Sequence, residues 1–70
     1  MAIQKFVLRG LSRDDEPEVE QALRSIRGVI YAAASHSDGC AEVEFEDDMV
    51  TTDALRQALE RIGLEARLAG

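Results

Sequence analysis

The chain has 70 residues, 14 acidic and 8 basic, for a formal net charge of −6. That length holds a single domain, residues 1–70, whose small core supplies about 3–5 kcal/mol of net stability and leaves no room for a separate catalytic subdomain. The acidic balance excludes nucleic acid and anionic membrane surfaces from the expected partners and leaves a basic protein surface or a cation. A hydrophobic content of 46% is that of a globular chain. One cysteine, Cys40, excludes an internal disulfide and a thiolate-rich metal cage. The opening "MAIQKFVLRG" turns charged too soon for a signal peptide, and no segment approaches the roughly 20 apolar residues that span a bilayer. A soluble, cytoplasmic protein is expected.

The first element, 3–9 "IQKFVLR", is a strand with Phe6 and Leu8 on one face and Val7 on the other. "GLSRDDEPE" is a loop, in which Ser12, Asp14 and Asp15 are acceptable helix caps. Pro17 is tolerated only in a helix's first turn, so a helix starts around Asp14 to Glu16. Val19, Ala22, Leu23 and Ile26 fall at i, i+3, i+4 and i+7, a single apolar stripe, and Gly28 is the expected stop.

"VIYAAASHS" reads as a second strand with Ala32, Ala34 and His36 inward, and Asp38-Gly39 as a hairpin turn. "AEVEFE" alternates strictly, with Ala41, Val43 and Phe45 inward and Glu42, Glu44 and Glu46 outward. Cys40 then opens this strand facing outward, opposite to His36. Thr51, Thr52 and Asp53 each fit the cap of a second helix, whose buried stripe is Ala54, Leu55, Ala58, Leu59 and Ile62. Gly63 ends it, and "LEARLAG" is a last strand with Leu64, Ala66 and Leu68 alternating. The order β-α-β-β-α-β defines an α+β, ferredoxin-like sandwich: a four-stranded antiparallel sheet with two helices on one face.

The segment from Gly28 to Ala66 resembles the heavy-metal-associated domain family, the modules of copper chaperones, metal-transporting ATPases and mercury-binding proteins. The resemblance rests on Gly28-Val29, the turn glycine Gly39, and "AEVEFEDDMVTTDALRQALERIGLEA". Upstream, Gly10-Leu11 and Val19-Glu20-x-x-Leu23 stand where the family has its "GM" and first helix. The resemblance implies a soft-metal function resting on "G-M-x-C-x-x-C", whose thiolates select copper(I) or zinc. Here the corresponding stretch is "GLSRDDEPEV", one residue shorter between glycine and valine. Counting back from Val19 puts Ser12 and Asp15 at the cysteine positions, and counting on from Gly10 puts Arg13 and Glu16 there. Neither supplies a thiol, and Gly63-Leu64 replaces the "G-[YF]" pair.

Other ligands are available in principle. Asp14, Asp15, Glu16 and Glu18 offer oxygens suited to a hard cation, without the glycine-punctuated spacing of a calcium loop. Acidic residues in a helix's first turn are also rewarded by the helix dipole alone. His36 and Cys40 flank the hairpin and form a two-ligand candidate, to hold a soft ion between them or to be completed by a second protomer. No arrangement of His36 implies a nucleophile–base pair, and no glycine-rich phosphate loop is present, so no enzyme and no cofactor are expected. Val7 and Ile30 fall out of phase with the core and mark an apolar patch on the open sheet face.

The expected function is that of a non-catalytic protein-interaction or regulatory module related to heavy-metal transport. Its contact region is Ser12, Arg13, Asp14, Asp15 and Glu16, and its partner is a basic protein surface or a second copy. One alternative is a metal-ion-binding protein using the acidic loop or His36 with Cys40. Another is a small-ligand regulatory domain acting as a dimer.

Overall fold

The computed structural model describes residues 1–69. The strands are β1 (Ala2–Arg9), β2 (Val29–Ser35), β3 (Cys40–Phe45) and β4 (Glu65–Ala69); the helices are α1 (Glu16–Arg24) and α2 (Thr52–Arg61). All strand pairings are antiparallel, in the order β2-β3-β1-β4, so β2 and β4 are the sheet edges. This is the expected ferredoxin-like sandwich. Helix α1 packs on β2 and α2 on β4, leaving the opposite sheet face open. Among the described residues no helix is long and apolar enough to cross a membrane.

The alternation in β1 and β3 works as read. Phe6 and Leu8 pair alongside Ala41, Val43 and Phe45 in the core, while Ile3, Lys5 and Val7 share the open face with Glu44, Glu42 and Cys40. Each helix contributes an i, i+4 pair to the core, Val19 with Leu23 and Leu55 with Leu59, all four fully buried. In β2 the register slips between Val29 and Tyr31, so Ile30 sits in a bulge. The bulge resets the phase. Val29 stays partly buried against the core, Tyr31 and Ile30 are exposed, and Ala32 turns inward.

Several boundaries differ from the sequence reading. A 3-10 turn, Arg13–Asp15, leads into α1 at Glu16, with Pro17 in the first turn as required. The helix stops at Arg24 and not beside Gly28, because Ser25 caps it and the chain turns through 25–28. Ile26 still packs against the core from that turn, which is why the apolar spacing outran the helix. Thr51 is the cap of α2, its Oγ1 accepting the Ala54 N–H at 3.1 Å. Ala54 itself is exposed and does not belong to the buried stripe. Leu68 shares the Phe6 face by register yet is 56% exposed, since β4 is an edge strand. Strand β2 ends at Ser35, so His36 lies in the turn and is exposed. The last residue of the "LEARLAG" strand, Gly70, lies outside the described residues.

Candidate functional site at the loop end of the sheet

Strand directions gather three connections at one end of the sheet. They are the β1–α1 loop after Arg9, the β2–β3 hairpin between Ser35 and Cys40, and the α2–β4 turn before Glu65. A left-handed glycine serves each one: Gly10 (φ 76°), Gly39 (φ 66°) and Gly63 (φ 91°). The Leu8 N–H donates to the Gly39 carbonyl at 2.7 Å and ties the hairpin to β1.

The acidic residues of the loop do separate jobs. Asp15 accepts at Oδ2 from the Ser12 N–H (3.1 Å) and the Ser12 Oγ (2.9 Å), and its own N–H donates to the Ser12 carbonyl (3.0 Å). Ser12 and Asp15, which stand at the cysteine positions when counted from Val19, are therefore in contact. Glu16 turns the other way. Its Oε2 accepts from the His36 N–H at 2.6 Å and lies 2.7 Å from the His36 Nδ1; an ionised carboxylate only accepts, so that contact calls for the ring proton on Nδ1. Those two bonds, backbone first and ring second, hold the Glu16 carboxyl below its ordinary range. Arg13 and Asp14 are exposed.

Cys40 lies apart from all of these. It points to the open face, where its Sγ donates to the Asp38 carbonyl at 3.2 Å. There it lines a depression of about 200 Å³ with Lys5, Ala33, Ser35 and Glu42. His36 faces α1 through Glu16, so the two hairpin residues turn to opposite sides of the sheet. Among the described residues, no three His, Cys, Asp or Glu side chains gather as a ligand set. The donors of Ser12, Asp15, Glu16 and, from the hairpin, His36 are carboxylate and hydroxyl oxygens and one imidazole, bonded in two pairs. Such a set does not fit a soft ion, which selects thiolates.

The Glu16–His36 contact has a continuation that sequence reading missed. One turn further along α1, Glu20 Oε2 accepts the Ala34 N–H at 2.9 Å, and one turn beyond that, Arg24 donates to the Ala32 carbonyl at 2.9 Å. Helix residues at i, i+4 and i+8 thus meet His36, just past the end of β2, and then strand residues Ala34 and Ala32 along its outer side. The only local signal was the helical spacing of Glu16, Glu20 and Arg24, which also suits any solvated helix face.

Set against known proteins, this architecture has close counterparts. The copper chaperone CopZ of Staphylococcus saprophyticus is 34% identical over 68 residues, spanning 96% of this chain and 100% of that protein. The chain therefore belongs to the heavy-metal-associated domain family. Among solved structures, a copper binding domain from HMA7, a P-type ATPase, superposes with a TM-score of 0.94 at 24% identity, over 100% of this chain and 96% of that one. A CopZ metallochaperone matches with a TM-score of 0.90 at 25% identity, over 94% and 100%. Oxidized MerP from Ralstonia metallidurans CH34 matches with 0.93 at 17% identity, over 99% and 97%. No family model matches the chain.

Proposed function

We propose that this domain is a non-catalytic protein-interaction or regulatory module in a metal-handling setting, sharing the scaffold of copper-carrying relatives without a soft-metal site of their kind. The observation that carries this reading is the pairing at the loop end: Ser12 with Asp15 within the loop, and Glu16 with His36 of the hairpin, oxygen and imidazole groups bonded to one another where the family resemblance calls for two thiols. The relatives' names, a copper chaperone and a P-type ATPase domain, supply the setting. The contact region is Ser12 to Glu16. Its exposed Arg13 and Asp14 and its acidic surroundings suit electrostatic steering onto a basic surface of a cytoplasmic protein; a second copy is the other partner proposed, without that steering.

The test is an NMR titration of the reduced protein with copper(I), zinc, calcium and magnesium in separate experiments. The expected result is no saturable, site-specific amide shift with any of the four ions. Shifts clustering at residues 10–18 or 36–40 would overturn the reading and locate substitute ligands.

A further inference from the structure

An edge strand presents a row of unpaired N–H and C=O groups and is a ready template for another chain. Proteins blunt such edges with charge, with proline, with short strands or with a covering element. Edge strand β4 has five residues and carries Glu65 and Arg67. Edge strand β2 is different. Its seven residues, "VIYAAAS", include no charge and no proline. By composition β2 is the edge through which a second copy would pair, antiparallel, since two uncharged strands set no like charges opposite each other.

Helix α1 stands in the way. Ala34 N–H and Ala32 C=O turn away from β3, and both are taken, by Glu20 and Arg24. Just past the end of β2, the His36 N–H is taken by Glu16. Glu20 also joins the last two rungs, its Oε1 lying 3.7 Å from the Arg24 guanidinium. We infer that Glu16, Glu20 and Arg24 form a side-chain strap that occupies Ala34 N–H and Ala32 C=O on the outer side of β2 and His36 N–H just beyond its end, and that removing the strap exposes a latent edge through which two copies of this chain pair. The inference is independent of the metal-free reading, because it concerns the backbone of β2 and no ligand.

The experiment compares the wild-type chain with the triple variant Glu16→Ala, Glu20→Ala, Arg24→Ala by sedimentation over a concentration series, with amide exchange read by NMR. The wild type is expected to show no association through β2. The folded triple variant is expected to rise toward twice the monomer mass, with its Ala32, Ala34 and His36 amides slowing in exchange as concentration rises. Adding Ala33→Lys, which places a charge on the edge strand, should return the triple variant to the monomer mass. Should the triple variant not fold, Arg24→Ala alone carries the same readout, with a smaller concentration-dependent rise. A folded variant that stays monomeric overturns the inference. So does one that associates without protecting the β2 amides, or a wild type whose β2 amides already show concentration-dependent protection.

Discussion

A single carboxylate oxygen, Oε2 of Glu16, receives both the backbone N–H and the ring Nδ1 of His36, 20 residues further along the chain. The first residue of α1 is thereby fastened to the β2–β3 hairpin, and the fastening is strongest for the ionised carboxyl. Because folding lowers the Glu16 pKa below its ordinary 4.5, this group's contribution to stability is complete above that value and is lost as pH falls through the lower, folded one. Denaturant midpoints measured across an acid series should therefore fall with a shallower slope in Glu16→Gln than in the wild type. Identical slopes would show that the pair does not couple folding to protonation.

Two left-handed glycines should respond very differently to alanine. At Gly28 (φ 103°) a Cβ would lie 2.9 Å from the Met49 Cβ and 3.3 Å from the Val50 Cγ1, so strain and a clash add. At Gly10 (φ 76°) nothing lies within 4 Å, and strain alone operates. Gly10→Ala should cost about 1 kcal/mol. Gly28→Ala should cost at least about 2 kcal/mol, the clash being added to the backbone strain. Equal losses in urea unfolding would mean that Met49 yields freely.

Leu59 and Leu68 look equivalent in the sequence pattern and are not. Leu59 is fully buried between α2 and the sheet, whereas Leu68 is 56% exposed. Leu59→Ala should cost about 2–5 kcal/mol, enough to unfold much of a domain of this size. Leu68→Ala should stay within about 0.5 kcal/mol of the wild type. Thermal unfolding distinguishes the two at once.

The cap of α2 supplies a milder probe. Thr51→Ala removes the acceptor of the Ala54 N–H and should cost about 1 kcal/mol. Thr51→Ser, which keeps the hydroxyl, should recover most of the loss. A serine variant as unstable as the alanine one would place the effect in the β-branched packing of Thr51 instead.

Grafted thiols can decide between the two ways of counting the loop. Ser12 and Asp15 already touch, Oγ to Oδ2 at 2.9 Å, whereas Glu16 is turned toward His36. The double variant Ser12→Cys, Asp15→Cys is expected to acquire copper(I) binding in competition with a chromophoric chelator. Arg13→Cys, Glu16→Cys should bind it more weakly and also lose the tie to the hairpin. The reverse order would favour the count from Gly10.

The strand and helix order was legible because period-two and period-3.6 patterns follow directly from burial on one face. The end of α1 was not, since Ile26 keeps contacting the core after the helix has stopped at Arg24. Leu68 keeps the face that alternation gives it, but alternation says nothing of whether that face is covered at a sheet edge. At the loop end, the hydrogen bonds of Ser12 with Asp15 are local, and the capping chemistry of those residues hinted at them. The bonds from Glu20 and Arg24 to β2, and from Glu16 to His36 beyond it, are tertiary. They depend on how α1 lies over the strand, and no local spacing encodes that.

The three glycines at the loop end bear on how much such a domain can change. Gly10, Gly39 and Gly63 make the reversals of direction there with main-chain geometry alone, each at positive φ. The side chains between Gly10 and α1 are relieved of steering the chain. Leu11 packs against the core, and the residues after it, 12 to 15, are the ones left to vary in charge, in hydrogen-bonding character and in ligand type.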